Sequence, residues 1–347
     1  MKNRFKLLAL SNLTTGIIVI VCSLVLITSC QIDLQPLPDE IEVELNKAID
    51  RGFDGIVVYV NQADKSSFYS AGWKNRAKQI PADPHALFKI ASISKLYIAA
   101  ATTKLIANQD LSLDNTLAQL IPEVEGRIEN ADEITLRMML QHRSGIPDYT
   151  YSPKLEDIDA GDDYMAAAAI IFDEPADFPP NKKYRYSNTN YLLIGEILDR
   201  TLGYSHHEYI KSEILMPLGL VNTYSLYSEV DSNDVISGYF IGYEPDLKST
   251  LHTWPGGSMI ATAEDVGIFL RALIDGTLFN VEEQAIYSSV YEYEHKGWLP
   301  GYTSIARYHS DIDAVVIQFV NTSSNELFWL ELERVYDRIV RILEKEY

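Results

Sequence analysis

Cysteine is almost missing from this 347-residue chain: the 2 present, Cys22 and Cys30, lie close to the N-terminus. No disulfide can staple the rest, so the fold must rest on a hydrophobic core. Roughly 310 residues after the N-terminal segment are ample for one. Basic residues are also scarce, 29 Lys and Arg against 49 Asp and Glu for a net charge of −20. Lys2, Arg4 and Lys6 precede every acid, which leaves 26 bases against 49 acids, a net of −23, from residue 30 onward. Such a surface has no basic stripe for phosphates, so nucleic acid is excluded as a partner. It also disfavours electrostatic docking on anionic lipid. A phosphate-binding loop and a dinucleotide fingerprint are both absent, and nothing calls for a cofactor. There is no internal repeat and no low-complexity segment.

The N-terminus reads as a targeting segment. Lys2, Arg4 and Lys6 form a basic start, and Gly16 to Ile27 is an apolar run of signal-peptide length. Ile27-Thr28-Ser29-Cys30 resembles a bacterial lipobox. The expectation is a lipoprotein signal peptide over 1–29, lipid on Cys30, a tether over 30–38 and a domain over 39–347. An uncleaved transmembrane anchor is the alternative, since no charge falls between Lys6 and Asp33. Both place the chain in the cell envelope, on the periplasmic or cell-surface side of a membrane.

Helical periodicity is expected over Asp39–Arg51. Gly55–Asn61 and Ser67–Trp73 read as strands rich in Val, Tyr and Phe. Leu96–Ala107 reads as a helix, and Leu111–Leu247 as helices with long polar loops. Thr262 could cap a helix with Asp265 at its third position. Strands are expected around Ser289–His295, Thr303–His309 and Ala314–Asn321, and a final amphipathic helix over Glu326–Lys345. Strands at both ends and helices between them predict one α+β unit, its sheet built from both termini around an inserted helical lobe.

Ser92-Ile93-Ser94-Lys95 falls where the apolar segment Ala86–Ala91 gives way to that first long helix. A serine at a helix start sits near unpaired N–H groups and the positive end of the macrodipole. A lysine three residues on lies on the same face. Buried, it can lose its proton and accept one from the hydroxyl, giving a nucleophile without histidine. The plain alternative makes Ser92 a cap and Lys95 a solvated helix residue.

Two further segments join this one: Tyr186-Ser187-Asn188, between the turn Phe178-Pro179-Pro180-Asn181 and a helix starting near Tyr191, and His295-Lys296-Gly297-Trp298. Ser-x-x-Lys, Tyr-x-Asn and basic-x-Gly in that order resemble the three-part signature of the penicillin-recognising serine hydrolases. The resemblance is greatest to the branch of class C β-lactamases, DD-peptidases and related esterases. Ile134–Pro147, Met216-Pro217-Leu218-Gly219 and Gly256–Asp265 extend it. It implies an antiparallel sheet flanked by helices, a helical domain and a site in the cleft between them.

Ser92 is then the expected nucleophile, Lys95 the amine that accepts or relays its proton, and Tyr186 the partner base or acid. A phenol ionises near 10, so Tyr186 would need nearby cations, Lys95 or His295, to act as a base. Asn188 would donate to the substrate's carbonyl side. His295, where many relatives carry lysine, would orient Tyr186 or the substrate's acidic end. Gly297 would let substrate approach the strand, and the N–H groups of Ser92 and Trp298 would form the oxyanion hole. Lys296 replaces the usual small hydroxyl residue and argues against efficient β-lactam hydrolysis. Asn181 stands where a turn glycine is usual. The stretch between the Thr262 helix and His295 is short, which suggests a reduced cleft wall.

Ser205-His206-His207-Glu208 could suggest metal ligands but lies on a predicted surface helix with no third ligand in view. His142 and His252 suit core or surface roles, and Ser258 lacks histidine and acid partners. The expected activity is cleavage of an amide or ester in a small-molecule or peptide substrate through an acyl-serine. A carboxylesterase, or a non-catalytic envelope binding protein, is the alternative.

Overall fold

The computed structural model describes residues 36–63, 65–157, 163–324 and 326–346. The expected leader and Cys30 lie outside them. Among the described residues no helix is long and apolar enough to cross a membrane. Residues 36–40 belong to a unit of their own, and the architecture below is that of Ile41–Tyr347.

Helix α1 (Ile41–Asp50) opens this unit. Strands β1 (Gly55–Gln62), β2 (Lys65–Asn75) and β3 (Ile80–Pro81) follow. The chain returns to them as β8 (Glu294–Leu299), β9 (Tyr302–His309) and β10 (Ala314–Val320). The order β3-β2-β1-β10-β9-β8 makes a 6-stranded sheet whose pairs are all antiparallel. Val58 pairs with Gln318, so strands from the two ends of the sequence meet at the centre, as expected.

All of β10 and most of β1 is buried, which requires cover on both faces. On one face lies α10 (Glu326–Glu346), where Gln318 Nε2 donates to Leu332 O (3.2 Å) and Tyr336 Oη to Val316 O (3.3 Å). The buried Glu44 carboxylate receives Arg51 at 2.8 Å and Arg338 at 3.0 Å, joining α1 to α10. On the other face Val57, Tyr59, Ile317 and Phe319 enter the main core. There α8 (Ala263–Asp275) covers them, and α2 (Ser94–Ala107) lies in the same core. Helix α2 is buried almost all round, the pattern of a central helix rather than an amphipathic one. Tyr97 of α2 stacks on Phe269 of α8 with centroids 3.7 Å apart. Each such side chain contributes about 1.5–3 kcal/mol by leaving water.

The inserted lobe holds α3 (Leu117–Leu120), α4 (Leu136–Leu140), α5 (Tyr164–Ala168), α6 (Asn188–Leu202) and α7 (His206–Ile210). A small sheet in the order β4-β7-β5 joins the lobe to the core. Its strands are β4 (Phe88–Lys89), β5 (Thr223–Tyr224) and β7 (Ile260–Ala261). Thr262 caps α8 through Asp265 N–H (3.2 Å) as expected, and Asp265 in turn accepts from Asn222 N–H (2.8 Å) and Thr223 Oγ1 (2.9 Å). Asn181 takes φ +62°, the left-handed turn conformation anticipated for it.

Several expectations are corrected. The strand foreseen over Ser289–His295 begins only at Glu294. Before it runs α9 (Val281–Val290), started by a reciprocal cap between Asn280 and Glu283. The short stretch expected to leave a reduced cleft wall is built of this helix. His206 is not on the surface: it is fully buried, with Nδ1 2.7 Å from Asp199 Oδ1. Helix α6 starts at Asn188 rather than near Tyr191, and α2 at Ser94. Ser92 thus sits in a 3-10 turn, Ala91–Ile93, instead of capping the helix.

Candidate active site

The nucleophile turn is held from several sides. Ala91 takes φ +52°, a left-handed conformation that a residue with a Cβ adopts at a cost. Ser94 Oγ donates to Ala91 O (2.6 Å) and accepts from Met259 N–H (3.3 Å). Ile90 N–H reaches Met259 O (3.1 Å), and Ser304 Oγ donates to Ile90 O (3.2 Å). The turn lifts Ser92 to the surface of the cleft, where it is partly exposed, while Lys95 one turn on is 1 % exposed.

The structure brings Ser92, Lys95 and Tyr186 together. Lys95 Nζ lies 3.1 Å from Ser92 Oγ, 3.0 Å from Asn188 Oδ1 and 2.8 Å from Gly256 O. Tyr186 Oη donates to Ser92 Oγ at 3.0 Å. Burial lowers Lys95 to about 7, opposed by the negative charge of Asp148. A neutral amine has two N–H groups, and Asn188 Oδ1 and Gly256 O accept both. Its lone pair is left for the Ser92 hydroxyl.

Of the two roles expected of Tyr186, base or acid, its surroundings favour the acid. Burial pushes its phenol well above 10, which outweighs the hydrogen bond to Ser92. It is held protonated, a donor rather than a base. The cation expected from His295 is missing too. His295 Nδ1 lies 2.6 Å from Lys296 O, a pure acceptor, so Nδ1 carries the hydrogen. Burial, then the charge on Lys95, holds the ring well below the ordinary histidine value, and it is neutral at pH 7. The ring keeps partial contact with the groove.

Asn188 is placed beside Ser92, but its amide is engaged: Oδ1 accepts from Lys95, and Nδ2 donates to Asp148 Oδ2 at 3.0 Å. One Nδ2 hydrogen remains for the groove. Gly297 also has a structural reason to be glycine. A Cβ there would lie 2.4 Å from Ile90 O and 2.3 Å from Ser304 Oγ, so the missing side chain lets β8 close on the nucleophile turn. Trp298 follows on this edge strand, 40 % exposed. Lys296 turns away from the site to Glu333.

Sequence reasoning missed Asp148, gave Gly256 no role at the site, and gave His142 only a core or surface role. Gly256 has φ +81°, and a Cβ would press on the Lys95 stem at 3.1 Å and 3.2 Å. The doubled glycine was its signal. His142 is buried, stacks on the Tyr186 ring with centroids 4.3 Å apart, and accepts Ser187 N–H at Nδ1 (3.2 Å). Burial, with the charge of Lys95 adding to it, lowers its pKa to about 3.

A serine, a buried amine and a phenol converging in a cleft between a helix-covered antiparallel sheet and a helical lobe define an acyl-transfer site of the lysine-assisted serine type. Comparison agrees: residues 38–290 match the family described as Beta-lactamase, and the chain belongs to that family. Penicillin-binding protein 4* of Bacillus subtilis (strain 168) is 28 % identical over 211 residues, 58 % of this chain and 44 % of the relative. Penicillin-binding protein 4 of Amycolatopsis lactamdurans is 26 % identical over 59 % of this chain and 55 % of its own length. The chain therefore spans about half the length of these relatives. Among solved structures, the D-amino acid amidase of Ochrobactrum anthropi SV3 complexed with D-phenylalanine superposes with a TM-score of 0.77 at 23 % identity. That match covers 88 % of this chain and 98 % of the amidase. A penicillin binding protein from Bacillus halodurans gives 0.71 at 20 % identity, over 89 % and 99 %. The resemblance read from the motifs, and the α+β fold it implied, are borne out.

Proposed function

We propose that the chain is a serine hydrolase that cleaves an amide or ester of a small-molecule or peptide substrate through an acyl-Ser92 intermediate. The observation that carries this is the three-way contact at Ser92 Oγ: a near-neutral amine on one side and a protonated phenol on the other. Ser92 Oγ attacks the carbonyl carbon as its proton passes to Lys95 Nζ. The N–H groups of Ser92 and Trp298 take the oxyanion in this reading, worth several kcal/mol. As the bond to the leaving group breaks, Tyr186 gives that group its proton and recovers one from the Lys95 ammonium. Water then attacks the ester by the same route in reverse, releasing acid and free enzyme.

Within this reading a carboxypeptidase or amidase is favoured over a dedicated β-lactamase. Lys296 offers no hydroxyl for a substrate carboxylate and is drawn off to Glu333. The amidase likeness in fold points the same way. A carboxylesterase is the alternative on the same machinery. We also propose lipid anchoring at Cys30 in the bacterial envelope, supported by the basic start, the apolar run and the lipobox-like Ile27–Cys30. Cys30→Ala should then leave the precursor uncleaved.

The test is intact-protein mass after exposure to a penicillin and to a fluorophosphonate, with Ser92→Ala as control. An adduct confined to Ser92 is expected with at least one. No adduct with either, from a folded sample, would favour the non-catalytic binding protein. Turnover of amino-acid amides then separates an amidase from an enzyme that turns over only short acyl esters.

A further inference from the structure

A cavity of about 620 Å³ shares two walls with the active site, Tyr186 and His295, although neither Ser92 nor Lys95 lines it. Tyr184 and Tyr291 add aromatic surface, Ser289 at the end of α9 forms part of the rim, and His142 lies on its wall. Tyr184 is 65 % exposed.

His142 marks this cavity as built for a polar group. Ser187 N–H donates to Nδ1, so the hydrogen of the neutral ring is on Nε2. That Nε2 is buried and has no partner, although the residue is only 5 % exposed. Buried donors are nearly always satisfied, and an orphan on a cavity wall points to an acceptor brought in from outside.

We infer that this cavity receives the leaving group, an amine that carries an aromatic ring and, beside it, a hydrogen-bond acceptor for His142 Nε2–H. The inference rests on the function proposed above and adds a substrate class to it. In that reaction Tyr186 Oη hands its proton to the departing nitrogen. The nitrogen is therefore at Tyr186, and the remainder of the group passes along the Tyr186 ring toward His142. Tyr184 and Tyr291 supply faces for an aromatic side chain. An aromatic amino acid, released with its carboxylate or carbonyl oxygen toward His142, fits this description. By microscopic reversibility the same cavity binds the amine when the acyl-enzyme is intercepted by an acceptor instead of water.

The experiment acylates the full chain with p-nitrophenyl acetate and offers phenylalaninamide or alaninamide, which differ only in the ring. The ratio of N-acetyl product to acetate is read within each protein, so changes in total activity cancel. Expected is saturable transfer with half-saturation about tenfold lower for phenylalaninamide. Tyr184→Ala and Ser289→Trp should each raise that value severalfold for phenylalaninamide and leave the alaninamide ratio alone. Equal partitioning of the two amines by a protein that does form acyl-Ser92 overturns the inference alone, as do variants that shift both amines together. No Ser92 adduct by mass overturns the proposed function, and this inference with it.

Discussion

Lys95 Nζ and the carbonyl oxygen of Gly256 sit 2.8 Å apart, and this contact helps fix the direction of the lysine lone pair. With Asn188 Oδ1 it takes up both hydrogens of the neutral amine, so basicity is aimed at Ser92 alone. The same burial that makes Lys95 a base near pH 7 makes its charged form costly.

The first prediction concerns pH. Acylation needs neutral Lys95, so kcat/KM should rise with pH along a limb centred near 7, the value to which burial brings this amine. Asp148 favours the ammonium, so Asp148→Asn should move the limb to lower pH. The check is a pH profile of kcat/KM for both proteins. A limb that stays in place would remove Asp148 from the electrostatics of the site.

Lys95→Met should abolish turnover and raise stability. Lys95 falls from 10.5 unfolded to about 7 folded. Between those values the unfolded chain binds the proton more strongly, so this group's contribution improves as pH rises through that window. At neutral pH the apolar replacement should gain about 1 kcal/mol, a rise of ~2 °C in Tm, even with the Asn188 and Gly256 acceptors left unpaired. Differential scanning calorimetry of the two proteins decides it.

Tyr186→Phe removes the proton donor and leaves the ring stack on His142 in place. Amide turnover should fall about 10²–10³-fold. Esters with good leaving groups need no such proton and should lose far less. Equal losses on an amide and an activated ester sharing one acyl group would show that Tyr186 does not protonate the leaving group.

Gly297→Ala forces a methyl against Ile90 O and Ser304 Oγ. Strand β8 must move off the nucleophile turn, carrying Trp298 with it. The expected loss is roughly 10²-fold in kcat/KM, since a shift of about 1 Å is enough for that, with 1–3 kcal/mol of destabilisation from overpacking. Paired kinetics and urea unfolding will show whether activity falls out of proportion to stability.

The reacting atoms were readable in sequence because Ser92 and Lys95 are local neighbours and Tyr186 lies in a compact motif. Their electrostatics were not. Whether a phenol is lowered or raised depends on what surrounds it, and here the expected cations are a largely neutral amine and a neutral imidazole. Asp148 meets Asn188 across 40 residues, a contact that no local pattern encodes. The error at Ser289–His295 came from reading Tyr and Val as strand formers. The cap signal Asn280-Val281-Glu282-Glu283 was present in the sequence and was outweighed by the β-forming composition that followed. The sheet itself was legible from the runs rich in Val, Tyr and Phe at both ends.

Ala91 carries a consequence for any effort to improve this protein. A backbone held at φ +52° by its surroundings is a loaded spring set directly beneath the nucleophile. Selection for heat resistance alone would find relief there, because glycine accepts that geometry without penalty, and the relaxed turn would hold the hydroxyl less firmly. Durability and speed therefore compete at a single codon.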